Sequence, residues 1–460
     1  MGRRLGVSTG ARRLAAILLA GTALVVPAAA ASAQTLVETL VSTYNSNSDL
    51  LAQRARLRVV DEGVSQALAF WRPTIRASGD AGIGRIDSNL RRPERNDLWP
   101  RSYQITLSQP LFRGGKTLAA TRGAEADVQA ERATLFDREQ FALLSAVSSY
   151  SDVVRDAATV ELRRNNVRVL QTQLESTNAR FRVGELTRTD VAQSESRLAK
   201  SQSDLTLAEA TLAISRATFE RVVGRPVGGR LDEAPLLSQL PASEENAVAL
   251  ALEYAPRVVA ARYRLLSANY AIDNAKGDLL PQASLDATAR RAHDSTIADD
   301  RTRTYQIRAT VTVPLYQGGG EYSRVRAAKQ TYGQRQVELD GARRQSAEAA
   351  IRAYRTYDAA RALVESIGAQ VRAAQVALDG VRQEAQVGSR TTLDVLNAEQ
   401  ELIDAQVQLV AARRGLVIGH YQVLAEVGQL TARQLKLPVE LYDEERYYKN
   451  VRDAWFGLGP

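Results

Sequence analysis

Apolar residues recur every seventh position in two stretches of the chain. Val191, Leu198, Leu205, Leu212 and Phe219 form one series, and Val395, Leu402, Leu409, Leu416 and Val423 form another. A second seam, Leu396, Ile403, Val410, Val417 and Leu424, runs beside the latter. Sustained heptads predict coiled-coil helices, and adjacent seams predict more than one partner helix, hence a multi-helix wall. Proline is absent from 111 to 225 and from 315 to 437, stretches rich in Ala, Leu, Glu, Gln and Arg. Helices are therefore expected over 116–182 and 189–223, and again over 319–386 and 391–426, each pair broken at a Val-Gly turn. At ~1.5 Å per residue the first of these is about 100 Å long. Further helices are expected over 36–70 and 244–277. Stacked on 189–223, the 36–70 helix would run alongside the whole of 116–182.

A period of two precedes each long helix. Tyr305, Ile307, Ala309, Val311, Val313 and Leu315 alternate with Gln306, Arg308, Thr310 and Thr312, and Tyr103, Ile105 and Leu107 alternate with Gln104, Thr106 and Ser108. Strands are expected over 101–112 and 303–316, with weaker partners over 74–86 and 282–293 and polar loops at 87–100 and 294–303. One apolar face and one polar face suit a sheet between lipid and water. Aromatic residues bracket it: Trp71, Phe112 and Tyr316 at the helix end, Trp99, Tyr103 and Tyr305 at the loop end. Eleven steps from Tyr305 to Tyr316 cover ~36 Å, which a tilt near 45° reduces to about 25 Å, the height of an outer-membrane barrel's apolar band. Four strands cannot close a barrel, and an open edge in lipid leaves backbone groups unpaired. Membrane strands therefore require oligomerisation, and a trimer would give twelve.

The two patterns belong to an internal duplication. Val183-Gly184 returns as Val387-Gly388, Asp190-Val191 as Asp394-Val395, and Pro110-Leu111-Phe112-Arg113-Gly114-Gly115 as Pro314-Leu315-Tyr316-Gln317-Gly318-Gly319, each 204 residues on. This divides the chain into a first repeat at 34–225, a linker at 226–243, a second repeat at 244–428 and a tail at 429–460. The fold class is mainly α with a membrane β portion, a long helical barrel plus four strands per protomer.

Charge and composition alter the picture at three points. Residues 1–33 read as a signal peptide: Arg3, Arg4, Arg12 and Arg13 precede an apolar run that ends at Ala31-Ser32-Ala33. Removing it takes away four arginines and no acids, leaving 56 basic against 52 acidic residues, too even a balance to suggest nucleic acid as a partner. The chain has no cysteine, which suits an oxidising compartment and removes a lipoprotein attachment site. Beyond the leader no run approaches the ~20 apolar residues of a membrane helix.

Catalytic and cofactor chemistry finds little support. Gly114-Gly115-Lys116-Thr117 lacks the earlier glycine of a phosphate loop, which here is Pro110, and its copy lacks the lysine. His293 and His420 are the only histidines and lie in different elements. Neither a metal centre nor a nucleophilic triad is suggested, and no enzyme or cofactor is expected.

The duplicated order of elements resembles the TolC family of outer-membrane exit ducts over nearly the whole mature chain. Its most specific match is Val387-Gly388-Ser389-Arg390-Thr391-Thr392-Leu393-Asp394-Val395-Leu396, similar to the family's turn between long and short helices. The tail, through Tyr442-Asp443-Glu444-Glu445-Arg446-Tyr447 and Val451 to Gly457, resembles the type I secretion branch. The resemblance implies a homotrimer in outer-membrane lipid, a tunnel reaching into the periplasm, and a periplasmic adaptor (membrane fusion) protein with an inner-membrane ABC or RND transporter. It also implies a periplasmic entrance at which Asp394, Arg390 and Asp190 occupy gate positions. Asn397 stands where a second ring aspartate is usual, and the tyrosine usual before Val-Gly is missing around Ala385, so a thinner closing network is expected. Three Asp394 carboxylates on an axis would attract cations, and their crowding would raise the pKa of some members. The simpler role for Asp190 and Asp394 is to favour a helix dipole. The competing function is a periplasmic coiled-coil protein that spans distance or binds partners without a pore.

Overall fold

A computed structural model describes residues 34–88, 94–237, 239–295 and 299–459. The expected leader, 1–33, lies outside the described residues. The elements are α1 (Leu36–Ser46), α2 (Ser48–Ala69), β1 (Thr74–Ala81), β2 (Gly84–Ser88), β3 (Glu94–Leu98), β4 (Arg101–Arg113), α3 (Lys116–Arg182), α4 (Arg188–Val223), α5 (Glu244–Tyr254), α6 (Pro256–Lys276), β5 (Gln282–His293), β6 (Arg301–Thr312), α7 (Gly320–Gln386), α8 (Thr392–Glu426) and α9 (Arg446–Val451).

Two expected helices are each a pair. The helix expected over 36–70 breaks at Asn47, whose extended backbone ends α1 while its side chain accepts from the N–H groups of Asp49 and Leu50 to cap α2. The one expected over 244–277 breaks at Ala255, because Pro256 has no N–H to continue a helix but suits the first position of a new one. The long helices start at glycines in the left-handed region, Gly115 at φ 78° and Gly319 at φ 82°. At Gly114 a side chain would collide with the carbonyl oxygen of Gly277, so only glycine fits where the strand turns into α3.

β1, β4, β5 and β6 form one antiparallel sheet in the order β1-β4-β5-β6, with β1 and β6 at its edges. The strand expected over 74–86 stops at Ala81. Beyond Gly82 the chain separates as β2, which pairs with β3 in a ribbon of its own, so the expected loop 87–100 contains a strand. The strand expected to reach 316 ends at Thr312, two residues before Pro314, which has no ladder donor. Tyr316 therefore lies below the sheet. In β4 the register shifts between Pro110 and Phe112 for the same reason.

Below the sheet α3 packs against α1, α2, α4, α6 and α8, and α7 against α5, α6 and α8. The main core joins Leu57 of α2, Leu143 and Tyr150 of α3, Phe219 of α4 and Leu424 of α8. The expected linker 226–243 packs across this core. Tyr150 shares its one hydroxyl proton between the carbonyls of Gln34 and Asp232, and Tyr421 donates its own to that of Pro235. The tail is anchored too. Tyr442 donates its N–H to the Tyr44 hydroxyl at 3.0 Å, and Arg72 stacks on Trp455 beneath the sheet.

Candidate functional site

The two helix-to-helix turns repeat one backbone design. Each long helix ends in a left-handed glycine, Gly184 at φ 79° or Gly388 at φ 81°. The next residue then donates its N–H back to the helix, Glu185 to Arg180 and Ser389 to Glu384, each at 3.0 Å. A threonine starts the return helix. Thr187 and Asp190 cap each other at the start of α4, and Thr391 and Asp394 do so at the start of α8.

The candidate residues have defined local roles. Asp394 accepts from the Thr391 N–H at 3.0 Å and from its hydroxyl at 2.8 Å, and these bonds hold its carboxyl below the usual range. Asp190 is held low in the same way by the Thr187 hydroxyl and N–H. Both aspartates thus act on their own helix ends, and crowding between Asp394 side chains needs further copies of the chain. Arg390 pairs with Glu384 at 2.8 Å. Asn397 accepts from Arg197 of α4 at 2.8 Å, which joins the two hairpins just inside their tips. The four candidates therefore lie at the same end of the molecule, with Asn397 as the link between halves.

At the other end Trp71, Trp99, Tyr103, Phe112, Tyr305 and Tyr316 are all exposed, and Tyr305 and Tyr316 are each 79 % accessible. On the same face of the sheet as Tyr103 and Tyr305 lie Ile75, Ile105, Leu107 and Ile307. The opposite face carries Arg76, Asp80, Gln104, Asp286, Gln306 and Arg308. A sheet with bare aliphatic side chains on one face and charged ones on the other belongs at a boundary between lipid and water.

A profile of the family described as outer membrane efflux protein matches residues 39–225 and 247–425. The chain belongs to this family. It is 36% identical over 446 residues to the outer membrane efflux protein BepC of Brucella suis biovar 1 (strain 1330), covering 96% of each chain. It is 26% identical over 414 residues to the outer membrane protein TolC of Vibrio cholerae serotype O1, covering 86% of this chain and 92% of that one. Its fold is like that of the Campylobacter jejuni CmeC outer membrane channel, with a TM-score of 0.78 at 14% identity, covering 91% and 89% of the two chains. This outer membrane efflux protein is thus an exit duct of the Gram-negative outer membrane rather than an enzyme, and nothing in these likenesses favours a pore-less periplasmic coiled coil.

Three ion-pairing contributions went unread in the sequence. Glu384 holds Arg390, and in the first turn Arg180 holds Glu185 at 2.9 Å. Positions 180 and 384 are duplicates 204 residues apart with opposite charge, so aligning the halves would have exposed this exchange. Arg163 lies 3.4 Å from Asp204 and 3.8 Å from Asp404, tying α3 to both return helices. No sequence spacing marks that contact, because the acids are not duplicates. Arg197 likewise faces Glu401 in the duplication, which says nothing of its bond to Asn397.

Proposed function

We propose that, with residues 1–33 removed as a leader, three copies of the chain join their sheets into a twelve-stranded barrel above a hollow column of helices. The reading rests on one observation: a four-stranded sheet with one aliphatic face has two unpaired edges, β1 and β6. In lipid such edges must be paired, and pairing β6 of one copy with β1 of the next closes the ring. Cargo crosses through the hydrated interior, and an inner-membrane ABC or RND transporter with a periplasmic adaptor supplies the energy. The turns at 183–187 and 387–391 form the periplasmic entrance. There Asp394 of the three copies makes a cation-attracting ring, Asp190 adds an outer acidic position, and Arg390 braces the turn through Glu384. The aromatic residues form the membrane girdles, with Tyr316 and Trp71 on the periplasmic side.

Conductance across a planar lipid bilayer tests this. Purified protein should give stable, discrete current steps, and Asp394→Ala should weaken block by multivalent cations at least tenfold. Steps with unchanged block would remove Asp394 from the entrance, whereas absence of steps would remove the pore itself.

A further inference from the structure

The loop end of the sheet carries an arginine cluster on its outward face. Residues paired directly across antiparallel strands lie on the same side of a sheet. Arg101, His293 and Arg301 form one such row, and Tyr103, Arg291 and Arg303 the next. Below them come Ile105, Ala289 and Tyr305, then Leu107, Ala287 and Ile307. The arginines therefore share the aliphatic, lipid-facing side, one or two rows above Tyr305. At ~3.4 Å per residue, Arg303 lies about 7 Å beyond Tyr305 along β6. With Tyr305 at the aromatic girdle, that is the depth of the outer-leaflet headgroups.

Like charges meet in this cluster. Arg291 and Arg303 are direct cross-strand partners, an arrangement that repels. Among the described residues Arg101, Arg291, Arg301 and Arg303 enter no ion pair. Two acids of the adjoining loop are engaged locally: Asp294 accepts from the Asp299 N–H at 2.8 Å and Asp300 from the Thr302 hydroxyl at 2.9 Å. On the neighbouring ribbon, Asp97 is held by Arg85 at 2.7 Å. A groove of about 700 Å³ runs between Tyr103, Arg291, Arg303 and Tyr305, floored in part by Gly79, where the lack of a side chain leaves the Tyr103 ring close to the backbone.

We propose that this groove, with Arg291 and Arg303 in its wall and Arg101 and Arg301 one row above, binds the phosphate groups of a phosphorylated glycolipid headgroup in the outer leaflet. Guanidinium forks suit phosphate oxygens, and the tyrosine rings suit the boundary between headgroup and acyl chain. Three copies would present twelve arginines around the barrel rim and so fix its height and tilt in the membrane. The proposal rests on the barrel reading above.

The test uses the full chain in detergent and a fluorescent bisphosphorylated lipid A. Joint replacement of Arg101, Arg291, Arg301 and Arg303 by Gln should weaken binding at least tenfold. Arg76→Gln with Arg308→Gln, on the opposite face and away from the groove, should change it less than twofold. The lipid stripped of both phosphates should bind the unaltered protein as weakly as the fourfold variant binds the intact lipid. Inorganic phosphate at millimolar concentration should not compete, since the acyl chains contribute to binding. Equal loss in the opposite-face variant, unchanged binding in the fourfold variant, or indifference to the phosphates would each overturn the proposal. So would dissociation of the assembly in the fourfold variant, which would assign the arginines to acids of a neighbouring copy. Heat-modifiable migration of the unaltered protein is scored in parallel. Its absence would sink the barrel, whereas its presence without phosphate-dependent binding would sink only the lipid site.

Discussion

Helices α3 and α7 are duplicates of identical length, 67 residues, yet they live in different surroundings. α3 has 26 buried residues, among them Leu143, Val147 and Tyr150 with no exposed surface, whereas α7 has only eight, mostly alanine and serine. α7 leaves Val337 at 65 % exposure, with Ile351 two heptads further along the same stripe at 41 %. On α4, Leu207 and Ile214 stand one heptad apart at 69 % and 67 %. On the trimer reading proposed above, α3 is the axis of one protomer, and α7 and the outer stripe of α4 face other chains. The difference lies between folding and assembly.

That division can be attacked from both sides. Tyr150→Ala should be the most damaging change, because it empties a fully buried site and leaves the Gln34 and Asp232 carbonyls without their donor. It should lower protomer stability by about 3–5 kcal/mol, read as a fall in the denaturation midpoint. Leu207→Asp with Ile214→Asp should leave the protomer's helical spectrum intact but dissociate the assembly, since each lost apolar burial is worth about 1.5–3 kcal/mol. An unchanged assembly would mean that the α4 stripe faces lipid, cargo or solvent instead.

A smaller, pH-dependent effect separates the surroundings of α3 and α7. Asp61 of α2 packs on α3 with no exposed surface, and burial raises its carboxyl from 3.8 to about 6 despite nearby Arg132. The buried charge opposes folding above pH 6, and the penalty is relieved as pH falls from about 6 to 3.8. Asp61→Asn should therefore stabilise the protein at pH 8, by on the order of 2 kcal/mol, and hardly at all at pH 4. His420 of α8 lies edge-on to Tyr357 of α7, and its Nε2 accepts from the Leu237 N–H. Burial lowers its pKa from 6.5 to about 4, so its contribution is intact above pH 6.5 and lost as pH falls towards 4. The two slopes oppose each other in the native chain. In Asp61→Asn the thermal midpoint should fall clearly with acidification between pH 6.5 and 4, and a flat profile would refute the assignment.

Much of this architecture could be read from spacing. Glycine pairs at 114–115 and 318–319, proline-free stretches and heptads mark where the long helices begin and what they pack against. The break at Asn47 was harder, because it interrupts the helix by a single residue without disturbing the apolar pattern around it, whereas Pro256 marks the break at Ala255 in the sequence itself. The strand in the loop 87–100 was hidden by polarity, since a ribbon standing beyond the sheet has no core to impose alternation. The heptad series on α4 was also incomplete as a packing guide. Ser194, Ser201 and Ser215 are buried against α3, where Ser201 accepts from Asn166 at 2.9 Å and Ser215 bonds Asp156. Small polar residues at that spacing let helices approach closely but look like a solvated face in a sequence. At the turns, Asp190 and Asp394 were legible as helix starts and Glu384 and Arg180 could be found by aligning the halves, whereas Arg197 depends on a tertiary partner, Asn397.

The central claim is that one chain is an incomplete wall, completed by copies of itself through β1, β6, α4 and α7. The mass of the detergent-extracted assembly tests this most directly. Native mass spectrometry should find three chains, reduced to one by heating. A single chain that keeps its sheet spectrum in mild detergent would contradict the account, because it would show that the edges of β1 and β6 need no partner.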